Sequence, residues 1–145
     1  MLFGQFNHSL DDKNRLMIPS RIKSELASET SLYVLRGFEG CISIYTKKHF
    51  EKLIAKLEEY SFLDRKARDL YRATLSSVTL LNIDKIGRIQ FTPAVLEKYC
   101  ISKEVTVIGV GDHFEVWDRN SFEKYEKEKL SKFEELADTL VKKDD

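Results

Sequence analysis

One short pattern occurs twice in the chain: "LDDKNRLMIP" at residues 10–19 and "DKIGRIQFTP" at residues 84–93. In each copy Asp stands four residues before Arg, Asn or Gly comes directly before the Arg, and Pro follows. Asp11 to Asp84 and Arg15 to Arg88 are both offsets of 73, and Pro19 to Pro93 is an offset of 74. A second pair of stretches keeps step with the first. "LYVLRGFEGCISIY" (32–45) matches "VTVIGVGDHFEVW" (105–117), and Gly37/Gly109, Tyr45/Trp117 and Phe50/Phe122 align at an offset of 72. Self-similarity at a fixed spacing restricts the fold more than composition does. It predicts an internal duplication of half-domains, each too small to bury a convincing core alone. Two such halves closing around each other as a barrel would share one core.

Each half carries the same order of signals. An opening strand ("LFGQFNHSL" or "VTLLNI") leads to the Asp turn, and a short strand ("RLMI" or "RIQF") follows. Pro then opens a brief helix, because its fixed φ and missing N–H suit a first helical turn. Thr92 is placed to cap the second of these helices. Ile22 with Leu26, and Leu96 with Cys100, share a helical face. A closing hairpin, turning at "GFEG" or "GVGD", completes the unit. Between the halves, apolar residues at spacings of three and four predict a helical connector over residues 47–77, broken near "YSFLD" into two helices. A last helix starts after Asp118 or Asn120, with Phe122, Tyr125, Leu130, Phe133, Leu136 and Leu140 on one face, and "VKKDD" is its frayed end. The predicted fold class is α+β, mainly β: a pseudo-twofold barrel with connector and C-terminal helices. The segments are repeat 1 at 1–50, connector at 51–76, repeat 2 at 77–121 and closing helix at 122–145.

The turns have a specific chemistry. Asn14 and Gly87 are the residue types that best tolerate positive φ, so each turn is predicted to pass through a left-handed residue just before its Arg. Asp11 and Asp84 can accept backbone N–H bonds across the turn. Arg15 and Arg88 then emerge at a fixed height on the next strand. Two uses follow, and they are compatible. The Asp–Arg pairs can be local ties that hold a hairpin. They can also orient guanidinium groups, whose planar donor forks suit phosphate and guanine.

Charge favours the first copy for such a role. The chain has 24 Lys/Arg and 24 Asp/Glu, a formal net charge of zero. Residues 1–72 carry 13 basic and 10 acidic side chains, 13 − 10 = +3, and residues 73–145 carry 11 and 14, 11 − 14 = −3. Lys13, Arg15, Arg21 and Lys23 cluster around the first turn, and Lys85, Arg88 and Lys98 around the second. "LDRKARDLYR" adds a basic helical face, Arg65, Lys66, Arg68 and Arg72, suited to solvent, to DNA or to an acidic neighbouring subunit.

Other classes find little support. Apolar runs such as "VTVIGV" are strand-sized and too short for a bilayer. The opening "MLFGQFNHSL" does not read as a signal peptide. Cys41 and Cys100 lie far apart in apolar surroundings and read as buried, reduced thiols of a cytoplasmic protein. His8, His49 and His113 have no metal-ligand spacing, and no Walker loop, GxGxxG or GxSxG occurs. No cofactor, metal, membrane or small-molecule substrate is expected, and no catalytic set is visible.

The doubled D-x-x-x-R turn with its following Pro, the paired hairpin stretches, the opening "MLFGQFNHSLD" and the connector end "ATLSSVTLLNIDKIGR" together resemble the MraZ family of bacterial transcriptional regulators. The resemblance covers nearly the whole chain. It implies two SpoVT-AbrB-like halves in a swapped-hairpin β-barrel, assembly into a ring-shaped homo-oligomer, and a cytoplasmic, nucleoid-associated location. It implies binding of double-stranded DNA at short direct repeats upstream of a division and cell-wall gene cluster that includes the regulator's own gene. Asp11, Arg15, Asp84 and Arg88 are the motif positions, with Asn14 and Gly87 in the turns. Arg15 is the expected direct DNA contact, with Lys13, Arg21 and Lys23 on phosphates and Lys85 and Arg88 as a weaker second set. The chain departs from the family at Asn14, where Gly is usual. Ala94-Val95 also stands where the first copy has Ser20-Arg21, which weakens the second surface. The competing expectation is an AbrB-like, antitoxin-type module whose main partner is a protein.

Overall fold

The computed structural model describes residues 1–26 and 28–140. The chain runs β1 (Leu2–Ser9), β2 (Arg15–Met17), α1 (Ser20–Glu25), β3 (Ser31–Arg36) and β4 (Ile42–Tyr45). Two connector helices follow, α2 (Lys47–Glu58) and α3 (Arg65–Leu75). Then come β5 (Thr79–Asn82), β6 (Arg88–Gln90), α4 (Pro93–Lys98), β7 (Glu104–Gly111) and β8 (Phe114–Asp118). The chain closes with α5 (Arg119–Glu128), a 3-10 turn (Leu130–Lys132) and α6 (Phe133–Asp138). The fold is α+β and mainly antiparallel β.

Six strands form one sheet in the order β1-β7-β8-β4-β3-β5, and β2 pairs with β6 in a separate two-stranded ribbon. The expected closed barrel is not what the hydrogen-bond ladders make. β1 and β5 are the edges of the large sheet, which stays open because no ladder joins them. The strand order is unchanged when β1 is exchanged with β5, β3 with β7 and β4 with β8. Each outer strand pairs with a hairpin strand in matching register: His8 lies opposite Val105, and Leu81 opposite Leu32. At the centre Ser43 faces Glu115 across β4 and β8.

Alternation along these strands builds one core from both ends of the chain. Leu16, Ile22, Leu32, Ile42 and Ile44 pack with Ile89, Val105, Val107, Phe114 and Val116 in a single buried cluster. On the other face, α2 lays Phe50 on Tyr33, ring centroids 4.4 Å apart, and α5 lays Phe122 and Tyr125 on Trp117 at 5.3 and 5.0 Å. Thr92, Asp64 and Asp118 cap their helices with side-chain oxygens. The connector breaks over residues 59–64, as its sequence predicts.

Three expectations need correction. The second hairpin turns later than "GVGD" suggests: β7 continues through Gly111, and the reversal falls at residues 112–113, so that only Asp112 of the four belongs to it. Gly109 is therefore a strand residue opposite Gly4, and a Cβ there would collide with the Phe3 backbone nitrogen. The C-terminal region is not one helix. It splits at Lys129, so Phe122 is buried while Leu130, Phe133, Leu136 and Leu140 are exposed. Cys100 is exposed and lies two residues past α4 with φ 53°, so it shares no helical face with Leu96, and only Cys41 is the buried thiol the sequence suggested. The frayed "VKKDD" end lies outside the described residues.

Gly109→Ala should cost about 1–3 kcal/mol, because the new methyl meets backbone that cannot swing aside. Urea unfolding followed by circular dichroism measures this directly. A loss below a few tenths of a kcal/mol would mean that β1 shifts freely on β7.

Candidate nucleic-acid interface

The two turns are built alike, atom by atom. Asp11 Oδ1 accepts the N–H groups of Lys13 and Arg15, each at 2.9 Å, and its Oδ2 accepts Arg15 Nε at 2.6 Å. Asp84 Oδ1 accepts Ile86 N–H at 3.1 Å and Arg88 N–H at 2.8 Å, and its Oδ2 accepts Arg88 Nε at 2.7 Å. The backbone closes each loop behind these bonds. Asn14 N–H donates to the Asp11 carbonyl and Gly87 N–H to the Asp84 carbonyl, both at 3.0 Å. Asn14 has φ 60° and Gly87 φ 91°, the left-handed positions that the residue types predict.

This donor set controls the carboxylates. Burial alone would raise the Asp11 pKa, but the bonds from Arg15 and Lys13 outweigh it and hold the group below the ordinary carboxylate value. For Asp84 the backbone bond from Arg88 is the largest influence, and its pKa is likewise lowered. Each carboxylate thus engages the Nε edge of its own arginine, which fixes the direction of the planar guanidinium.

The ribbon β2–β6 joins the turns. Leu16 pairs with Ile89 at its centre, flanked by Arg15 opposite Gln90 and Met17 opposite Arg88. Ile18 N–H donates to the Gly87 carbonyl and Phe91 N–H to the Asn14 carbonyl, each at 3.0 Å. Arg88 Nη1 reaches to 3.9 Å from Asp11 Oδ2, so both arginines approach one carboxylate. Side chains from elsewhere brace the loops. Lys103 Nζ donates to the Asp11 carbonyl at 3.0 Å and to Asn14 Oδ1 at 2.9 Å. Gln90 Nε2 donates to the Lys13 carbonyl at 2.9 Å.

The six basic residues expected to contact DNA therefore fall into three places. Arg15 and Arg88 stand together, half-buried, with Lys13 and Lys85 exposed on the loops. Lys23 does not serve the first turn: its Nζ donates to the Ile86 carbonyl at 3.3 Å, and its stem lies across Gly87 of the second. Arg21 sits over the Phe3 ring at 5.0 Å, in a groove of about 780 Å³ between β1 and α1. Lys103 and Gln90 had no sequence signal, since their partners are 77 to 92 residues away.

The fold and turns define a class: small α+β proteins in which two Asp-clamped arginine turns pair into one ribbon beneath an antiparallel sheet. The family described as "MraZ protein, putative antitoxin-like" matches residues 1–73 and again 75–144, and the chain belongs to that family. It is 35% identical to the transcriptional regulator MraZ of Mesoplasma florum over 140 residues, 97% of this chain and 95% of that protein. It is 34% identical to the transcriptional regulator MraZ of Lactiplantibacillus plantarum over 142 residues, covering 97% and 99%. The protein of the same name from Mycoplasmoides gallisepticum is 35% identical over 141 residues, 97% of each chain.

A lowered folded pKa means that the carboxylate contributes stability above its unfolded value, near 3.8, and that the contribution disappears as pH falls through the folded value. Replacing both Asp11 and Asp84 with Asn should flatten the acid limb of the stability–pH curve below about pH 4 and lower stability at neutral pH. Chemical unfolding from pH 2 to 7 checks both signs. A double variant with an unchanged acid limb would show that the clamps titrate alike in folded and unfolded chains.

Proposed function

We propose that the chain is a DNA-binding transcriptional regulator. In this reading it recognises short direct repeats upstream of a division and cell-wall gene cluster that includes its own gene, in the cytoplasm and at the nucleoid. The observation that carries the reading is the ribbon that brings Arg15 and Arg88 side by side, each oriented by an Asp, with Lys13 and Lys85 exposed on the loops. Arginine forks held in fixed directions suit base edges, and exposed lysines suit phosphates. The names of the family relatives point the same way.

The internal duplication belongs to the same proposal: repeats at 1–50 and 77–121, a connector at 51–76 and a closing segment at 122–145. It is supported by the exchange symmetry of the sheet order, by the matching registers and by the two family matches along the chain. A swapped-hairpin barrel is supported by the way each outer strand pairs with the hairpin of the other half, though the ladders leave its seam open.

Self-assembly into a ring would multiply one modest basic surface at fixed spacing and so raise its effective concentration on repeated DNA sites. Two exposed surfaces suit such a head-to-tail contact. The tip between α2 and α3 exposes Phe62 and Leu63 beside the basic residues Arg65, Lys66 and Arg68. The end of the chain exposes Phe133 and Leu136 beside Glu134, Glu135 and Asp138. The alternative, a protein-binding antitoxin-type module, draws on that same exposed C-terminal face and on the family's description.

Mobility shifts on the DNA upstream of the chain's own gene should give a specific complex whose affinity falls steeply with salt. Arg15→Ala should weaken it while the protein stays folded. Lys13→Ala should lower the slope of log affinity against log salt by about 1, the mark of one lost phosphate contact. A stoichiometric protein partner with no specific DNA complex would instead favour the antitoxin-type module.

A further inference from the structure

A second polar cluster lies outside the turns, on the sheet face opposite the core, beneath α2 and α3. Alternation puts Ile44, Phe114 and Val116 into the core and turns Ser43, Tyr45 and Glu115 the other way. A cavity of about 170 Å³ opens over them, walled by Leu53 and Leu57 of α2 and Leu70 of α3, with His113 beside Glu115. An engineered cavity of about 150 Å³ lined by apolar side chains accepts benzene, so the space admits a one-ring molecule.

The polar groups in the floor are held in place. Ser43 and Tyr45 are only 5% and 7% exposed. The Tyr45 ring stacks on His113 with centroids 4.4 Å apart. His113 Nδ1 is engaged by Asp112 Oδ1 at 2.6 Å, which leaves Nε2 as the other edge of the ring. Trp117 Nε1 donates to Glu115 Oε1 at 3.0 Å, the Cys41 thiol also lies against this carboxylate, and Oε2 is the oxygen turned to His113. A carboxylate faces each nitrogen edge of the ring, Asp112 at 2.6 Å and Glu115 at 3.9 Å, and an acceptor on each side suits an N–H on each side. Burial alone would lower the His113 pKa, but these two carboxylates raise it.

The separation of the two remaining atoms selects the ligand. His113 Nε2 and Glu115 Oε2 form an ion pair at 3.9 Å, longer than a direct hydrogen bond, and one oxygen atom seated to the side of the pair reaches both. That oxygen must accept from Nε2–H and donate to Oε2. A hydroxyl group does both. An ammonium group has no lone pair with which to accept, and an ionised carboxylate has no proton to donate. Water would also bridge the gap, but it would leave the leucine wall facing solvent, where an apolar body gains by covering it.

We propose that this cavity binds a small uncharged ligand with one hydroxyl on a compact apolar body, the hydroxyl seated between His113 and Glu115 and the body against Leu53, Leu57 and Leu70. The site is separate from the arginine turns and does not depend on DNA recognition. Occupancy would link both connector helices to the centre of the sheet.

The test uses the full chain with phenol and fluorobenzene as probes, one with the hydroxyl and one without, followed by saturation-transfer and amide-shift NMR. Phenol should bind and shift resonances around Leu57 and His113. It should bind about tenfold or more tightly than fluorobenzene, as expected for a hydrogen bond to an ionised group. Leu57→Trp should fill the cavity and abolish binding of both probes. His113→Phe should keep the stack on Tyr45 yet remove the preference for phenol. The proposal is overturned if phenol does not bind, if the two probes bind equally, or if phenol binds Leu57→Trp unchanged. Should His113→Phe fail to fold, the probe pair and Leu57→Trp still decide the matter.

Discussion

The two aspartate clamps are the interaction on which the rest of the ribbon depends. One carboxylate takes two backbone N–H groups and one guanidinium, and so closes a five-residue loop around a left-handed residue. That closure brings the chain out onto β2 or β6 at a defined height. Only then can Leu16 meet Ile89, and only then do the Asn14 and Gly87 carbonyls reach the N–H groups of Phe91 and Ile18. The arginines are directed by the same bonds that close the loops. Shape and charge presentation are therefore one property of the turn.

The sheet solves a different problem. A few strands and one short helix cannot bury a core alone, so each half contributes apolar residues to one cluster. The central pair β4–β8 is covered on both sides, by the core on one and by helices on the other. Every residue of β4 is therefore buried, polar ones included. Ser43 and Glu115 sit where neither a solvent-facing edge nor a purely apolar core would place them. The polar floor beneath α2 and α3 is a consequence of that double covering.

Much of the local structure was legible in the sequence. Asn14 and Gly87 signalled positive φ, Asp11 and Asp84 signalled the bonds across the turn, and Thr92 and Asp118 signalled helix starts. These are interactions between residues a few positions apart, which a short window contains. The misplaced hairpin turn has a local cause as well. "GVGD" contains two glycines, but Gly109 is small because β1 passes against it, and not because the chain reverses there. A glycine required by a distant strand looks the same in sequence as one required by a bend.

The sequence by itself determined the repeated turn, its aspartate and arginine, the left-handed residue between them and the helical connector, because each rests on short-range sterics and hydrogen bonding. Tertiary structure alone decided which charges meet. It placed Lys23 across the second turn instead of the first, brought Lys103 to Asn14 from 89 residues away, and set Arg88 beside Asp11. It also decided that the ladders leave an open sheet, and that His113 and Glu115 stand 3.9 Å apart under the connector. The physical reason is common to all of these. Long side chains take their partners from whatever the shared core brings near, and that core forms only when both ends of the chain pack together.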